Sequence, residues 1–383
     1  MNRTATSDLV CFSHHRWGFV CLRPQHLLSR FARQFRVFYI EEPVFDAMRS
    51  TSALEVVSPV PNLWVVTPHL QEDLYEDELI AIQKEQLSKF FIDREINHYL
   101  FWYYTPAAVA ISDQFNPSLI VYDCMHEFAA SNFALPDIKE RELELFSKAD
   151  IVFTSGHSLY EAKRHKHSDV HAFPNSIDND HFYKARLYTK DLKDQVSIPH
   201  PRLGYCGVID ERTDLKLIEG IARRKPDWHI IMLGPIVRIE EKELPVMPNI
   251  HYLGLKPYHQ LPDYLSGWDI AMLPFVHNET TRFINPTKTS EYLAAGKPVI
   301  STPINDVIRR YGNKGLVNIA GTPDEFVKVA EQELFISDRD DWLQKVNEFL
   351  SQNSWSKTWQ SMLTLVEKKM NDKARNRHER EYA

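Results

Sequence analysis

Glycine is scarce in this sequence, at 12 residues in 383. Neither GxGxxG nor GxxxxGK followed by Ser or Thr occurs, so the two usual glycine-rich phosphate cradles are excluded and any nucleotide must be held another way. Cysteine is scarcer still. Cys11, Cys21, Cys124 and Cys206 are scattered without a CxxC or other ligand spacing, which excludes a disulfide framework and a zinc ribbon. Each sits in or beside an apolar stretch, as small buried thiols of a reduced, cytoplasmic protein do. No apolar run approaches the ~20 residues of a membrane span, and MNRTATSD lacks the apolar core of a signal peptide. Positive charge is not in excess: the formal net charge of −7 argues against a nucleic-acid partner. Two basic patches, EAKRHKH and the C-terminal tail, remain suited to anionic lipid and so to peripheral membrane contact.

What is present is the composition of a globular protein long enough for two cores. Short runs rich in Val, Ile, Tyr and Phe alternate with longer amphipathic segments, the βα rhythm of a parallel sheet covered on both faces. The strand runs are LVCFS, RVFYIEE, NLWVVTPHL, LFWYYTP and SLIVYDCM, then RLGYCGVID, WHIIMLGP, NIHYLGL, DIAMLPF, KPVIST and GLVNIA. A charged helical segment over about 72–97 interrupts the first series, and residues 184–200 read as a linker between the two. The expectation is an α/β protein: an N-terminal domain over 1–190, a C-terminal domain over 191–353, and a final segment over 354–383. In that segment Trp355 and Trp359 share a helix face suited to crossing back to the first domain, and the tail past about Asn371 is expected to fray.

The stretch Ile284–Thr302, INPTKTSEYLAAGKPVIST, carries the most chemical information. Asn285 can cap a helix, Pro286 suits its first turn, and Gly296 with Pro298 stops it, which places a helix over about 286–295. Its N-terminal amides at Thr287, Lys288 and Thr289 favour an anion such as phosphate. Lys288, read as an exposed cation at the helix start, adds a full charge. Glu291, three residues on, can accept hydrogen bonds from vicinal hydroxyls such as those of a ribose. A surface Lys–Glu pair at helical spacing is the plainer alternative.

Ligands in open α/β sheets sit beyond the carboxyl ends of strands, which marks two further clusters. After LVCFS come His14, His15, Arg16, Trp17 and Gly18, with Arg23 at the start of the next helix. After SLIVY come Asp123, His126 and Glu127. Solvated Arg16 and Arg23 beside a packed Trp17, and capping or core roles for Asp123, His126 and Glu127, stay open. His165, His167 and His171 lie among Lys and Arg, so a solvated face outweighs a metal site there. No metal ligand set is assigned.

Three segments together resemble a known family. ADIVFTS, PNSID with Phe182, and EYLAAGKPV are similar to segments of family 4 (group 1) glycosyltransferases. The resemblance implies the GT-B architecture, two Rossmann-like doubly wound domains facing each other across a cleft. It implies that Glu291 holds the ribose of a sugar nucleotide, that Lys288 and Arg212 (in CGVIDER) hold its diphosphate with Thr287, Thr289 and Gly18 nearby, and that His126 touches the donor sugar. Arg212 could instead pair with Glu211 or Asp214. Arg16, Trp17, Arg23, Asp123 and Glu127 fall to the acceptor side. Two departures stand out: Ser176 replaces the family's Gly, and Phe283 replaces the Glu eight positions before Glu291, leaving donor-sugar contacts to the run His277–Thr281 or the backbone near Asn285.

The implied activity is a retaining, metal-independent hexosyltransferase. Its donor is a UDP- or GDP-linked sugar, its acceptor a hydroxyl of a glycan or lipid-linked glycan of the cell-surface or capsular polysaccharide type, and it needs no other cofactor. A non-hydrolysing sugar-nucleotide epimerase and a catalytically inactive scaffold of the same fold are the alternatives.

Overall fold

The first apolar run is buried at every position because strand β1 (Asp8–Ser13) lies inside a sheet covered on both faces. The computed structural model describes residues 7–46, 52–130, 135–187 and 192–381. These fall into two compact units, one of residues 1–174 with 356–383 and one of residues 175–355.

In unit 1 the strands after β1 are β2 (Val37–Glu41), β3 (Val44–Phe45), β4 (Ala53–Val60), β5 (Leu63–Leu70), β6 (Tyr99–Tyr103), β7 (Leu119–Cys124), β8 (Ile151–Thr154) and β9 (Val170–Ala172). They form one sheet in the order β3-β5-β2-β1-β6-β7-β8-β9, parallel throughout, with β4 added antiparallel to β5. The sequence reading missed β4. None of its side chains is buried and it carries Pro59, as an outer strand can, so no apolar run announces it. A tight turn with Asn62 at φ 61° joins it to β5.

Unit 2 contains β10 (Arg202–Cys206), β11 (His229–Leu233), β12 (Ile250–Gly254), β13 (Ile270–Leu273), β14 (Val299–Ser301) and β15 (Asn318–Ile319). All pairs are parallel, in the order β12-β11-β10-β13-β14-β15. That is the doubly wound Rossmann order, which reverses between β10 and β13. The helix Asn179–Leu187, which the sequence reading grouped with the first half, belongs to unit 2: buried Phe182 and Ala185 join its hydrophobic core.

The last helix runs from Trp355 to Glu381 and does not end near Asn371. From Ser356 on it groups with unit 1, where Trp359 lies edge-on to Phe31. Lys369 and Lys373 reach Asp169 and Asp150 at 2.7 Å, so part of the basic tail is spent on unit 1's own carboxylates. No helix among the described residues is long and apolar enough to cross a membrane.

Candidate functional site

The helix Thr287–Ala294 stands beside the carboxyl end of β10, at the switch point of unit 2. Tyr292 fixes it there: the Cys206 amide donates to its hydroxyl at 2.7 Å, and that hydroxyl lies 3.3 Å from the Cys206 carbonyl. The helix ends as its sequence dictates. Gly296 adopts φ 74°, its amide bonds to Leu293 O at 2.9 Å, and the Lys297 amide bonds to Tyr292 O at 3.0 Å, a Schellman closure.

The other end differs from the sequence reading. Pro286, not Asn285, occupies the N-cap, and no side chain caps the first turn. The carbonyl of Asn285 instead accepts from Asn175 Nδ2 at 2.8 Å, which joins the PNSID and INPTK segments. Beside that joint, Thr289 Oγ1 and Asn175 Oδ1 are buried without a hydrogen-bond partner. Buried polar atoms of this kind call for a ligand group or water.

Lys288 and Glu291 are not a surface pair. Nζ of Lys288 donates to Glu291 Oε2 at 2.6 Å, and the two residues are only 9% and 5% exposed. Cys206 reports on this environment. Burial pushes its thiol up to about 11, with Lys288 acting to lower it and Glu291 to raise it.

Arg212, in the loop after β10, pairs with neither Glu211 nor Asp214. Its Nε lies 3.0 Å from Asp210, a second guanidinium nitrogen bonds the same carboxylate, and its own amide caps that carboxylate at 3.0 Å. Burial acts to lower the guanidinium's pKa, but the Asp210 contact outweighs it and raises it. Asp214 is the N-cap of the helix Leu215–Arg224. The loops after β10 and β11 touch so closely that a Cβ on Gly234, at φ 142°, would sit 1.8 Å from Gly207 O. Near the ends of β13 and β14 a small pocket is lined by His277, Thr281, Arg282 and Asn305 among others; Phe283 lies beside it under the Arg282 guanidinium.

In unit 1 the candidates divide sharply. Arg23 is 1% exposed and binds Asp123 through two bonds of 3.0 Å, with a third to Phe173 O at 2.7 Å. Burial raises the Asp123 carboxyl's pKa against the opposing pull of Arg23. This pair locks the helix Arg23–Phe31 to β7 inside the unit and offers nothing to a ligand, which corrects the acceptor-side reading of both residues. Arg16 is half-exposed but not loose: it bonds Glu41, the Glu42 carbonyl and the Pro43 carbonyl. Glu41, absent from the sequence reading, also accepts the Trp17 amide at 2.7 Å and the Thr67 hydroxyl at 2.9 Å. The signal was there, an acid at the end of the strand beside β1. Gly18 lies at an exposed turn with open space around it.

Glu127 is held by Lys163 at 2.8 Å, and Lys163, fully buried in what looked like a basic surface patch, also binds Glu142. His167 bonds Ala149 O and the Asp169 backbone, His171 bonds the Asp169 carboxylate, and with His165 they make no metal-ligating group among the described residues. The histidines that do converge are His14, His15 and His126, with Nε2 of His15 3.3 Å from Nε2 of His126.

Comparison with known proteins bears on this geometry. Residues 201–334 match the family of glycosyl transferases group 1. The chain is similar in structure to sucrose-phosphate synthase from Thermosynechococcus elongatus, with a TM-score of 0.70 at 13% identity, covering 94% of this chain and 98% of that one. The chain has the GT-B fold and resembles group 1 glycosyltransferases.

Anabaena HepE, solved in complex with UDP and glucose, is another GT-B neighbour, with a TM-score of 0.67 at 12% identity over 94% of this chain and 99% of that one. A curated relative, the putative teichuronic acid biosynthesis glycosyltransferase TuaH of Bacillus subtilis (strain 168), is 29% identical over 217 residues. That match covers 52% of this chain, and the chain spans about half the length of that relative, 54%. The group 1 match contains β10, Arg212, Lys288 and Glu291.

Proposed function

We propose that this protein is a retaining glycosyltransferase that moves a hexose from a nucleoside diphosphate sugar to a hydroxyl of a growing glycan. The observation that carries the reading is the buried Lys288–Glu291 pair at an uncapped helix N-terminus beside β10. A cation at a helix N-terminus suits a diphosphate, while a carboxylate three residues on suits a ribose. Charge grows on the departing phosphate as the glycosidic bond breaks, so Lys288 gains strength in the transition state, which is what acceleration requires.

Arg212 serves the same charge after exchanging part of its hold on Asp210 for phosphate oxygens. HepE's complex with UDP and glucose supports a UDP-linked hexose as the first donor to try. The name of TuaH supports a cell-surface polysaccharide acceptor. In unit 1 the reading gives Arg16, Trp17 and Glu127 to the acceptor and His126 to the donor sugar. Phe283, at the position of the family's acidic residue, supports one other reading, a donor-binding protein that does not transfer.

Calorimetry with UDP and GDP tests the nucleotide role. Glu291→Gln keeps shape and removes the charged acceptor, so nucleotide affinity drops by roughly 1–3 kcal/mol. An unchanged dissociation constant contradicts the assignment. Release of nucleoside diphosphate from UDP-hexose only when a glycan acceptor is supplied separates transfer from binding alone.

A further inference from the structure

Strands β1 and β7 flank β6, so their carboxyl ends lie two strand spacings apart, about 10 Å. His14 and His15 follow β1 directly, and His126 follows β7 by two residues. Their side chains close that gap. A ligand nitrogen from each of the three lies within 4.8 Å of the others, the one such group of three or more among the described residues.

We infer that His14, His15 and His126 form a binding site for a divalent first-row transition-metal ion of the zinc class. The inference is independent of the nucleotide reading, takes His126 as a metal ligand in place of the direct donor-sugar contact given to it above, and departs from the metal-free expectation drawn from sequence. Three geometric facts carry it. First, imidazole nitrogens bound to one tetrahedral zinc at about 2.0–2.1 Å are about 3.3–3.4 Å apart. His15 and His126 already present Nε2 atoms 3.3 Å apart.

Second, the backbone beneath the rings is fixed. The buried Tyr39 hydroxyl lies 2.8 Å from the His15 carbonyl and 2.6 Å from Ser13 Oγ, which in turn accepts the His15 amide at 3.1 Å. On the other side the Cys124 thiol reaches the His126 carbonyl at 3.3 Å, and the Ser155 hydroxyl holds the Met125 carbonyl at 2.9 Å. Anchoring of this kind is what keeps metal ligands in register. Third, the ring of Phe128 stands edge-on to both His14 and His126, an apolar wall on one side of the cluster.

The donor set decides the class of ion. Three neutral imidazoles suit zinc, copper, nickel or cobalt, whereas magnesium and calcium need oxygen ligands that this cluster does not supply. Three protein ligands leave a coordination position for an oxygen atom of water or of a bound anion.

The test uses untagged full-length protein, stripped with chelator and titrated with zinc chloride by calorimetry and with cobalt chloride by visible absorption. The expected result is one equivalent bound, with the cobalt d–d bands of a low-coordinate nitrogen site. His15→Ala and His14→Ala should each weaken zinc binding by on the order of a thousandfold or more, beyond the roughly 10–100-fold typical of losing an outer-shell partner. Mutation of exposed His165 should change nothing. Chelator-treated melts report folding of each variant, and His15→Gln replaces His15→Ala if the latter unfolds. Equal zinc affinity in the parent, His14→Ala and His15→Gln overturns the inference, as does a parent that binds no stoichiometric metal. UDP binding measured in chelator reads the nucleotide site separately, so failure of one reading leaves the other standing.

Discussion

Replacing Lys288 with methionine removes the ammonium and keeps the length of the side chain. If Lys288 were the exposed cation that its helix-start position suggests, stability would hardly change. Instead it lies 9% exposed and 2.6 Å from a glutamate that is 5% exposed. Removing it strands the Glu291 carboxylate in an apolar site packed by Tyr292 and Cys206. Breaking a buried pair from one side typically costs about 3–5 kcal/mol. Both side chains keep a sliver of solvent, 11% and 7%, so the lower end applies: about 3 kcal/mol for Lys288→Met, and a similar loss for Glu291→Leu.

The double replacement behaves differently. With both charges gone, the site is an apolar one of similar volume, and such exchanges are often neutral or stabilising. Urea denaturation of the four proteins, followed by far-UV dichroism and tryptophan fluorescence, gives the cycle. The expected coupling is at least about 2 kcal/mol, with the double variant less damaged than either single one. Nucleotide affinity should fall in all three and not recover in the double. Single losses below about 0.5 kcal/mol, the scale of an exposed pair, refute the argument.

Three shorter predictions follow. Lys297 donates to the Ser266 and Trp268 carbonyls, and burial pushes its ammonium down from 10.5 to about 8. Between pH 8 and 10 the unfolded chain therefore holds more protons than the folded one. Stability from this group rises with pH in that window, by about 2 kcal/mol between pH 8 and 9.5 relative to Lys297→Met; a difference that is flat or falls with pH contradicts it. Gly234→Ala must adopt φ 142° and drive a methyl into Gly207 O, so it should cost roughly 2–5 kcal/mol and weaken nucleotide binding as the β10 and β11 loops part; wild-type denaturation and calorimetry would overturn this. Arg23→Met leaves Asp123 buried and unpaired, at about 3–5 kcal/mol in unit 1, with nucleotide affinity per folded molecule unchanged; the reverse pattern returns Arg23 to a binding role.

The alternation of strand and helix was legible because buried parallel strands announce themselves as unbroken apolar runs, and every run named from sequence coincides with a strand of the two sheets. Strand β4 escaped because an outer strand needs no such run. Helix ends were legible where backbone geometry demands one residue type: Gly296 closes its helix as read, since only the left-handed region completes that turn. The start was harder. Asn and Pro are both favoured near N-termini, and Asn175, 110 residues away in sequence, decides between them by binding the Asn285 carbonyl.

Burial of charge was the least legible quantity. The same run of basic residues contains Lys163, fully buried between two glutamates, and Arg164, which is exposed. Nothing local separates them, because the glutamates lie 21 and 36 residues away. Arg23 and Asp123, 100 residues apart, were each read as facing a ligand cleft for the same reason. The His cluster follows that logic in reverse. Local spacing singles out His165, His167 and His171, where a solvated face outweighs a metal site, and they make no metal-ligating group among the described residues. Strand order brings together His14, His15 and His126 instead, and strand order follows from the whole sheet. A rule applied to strand ends, which asks what lies two places over at the same edge, would have found them.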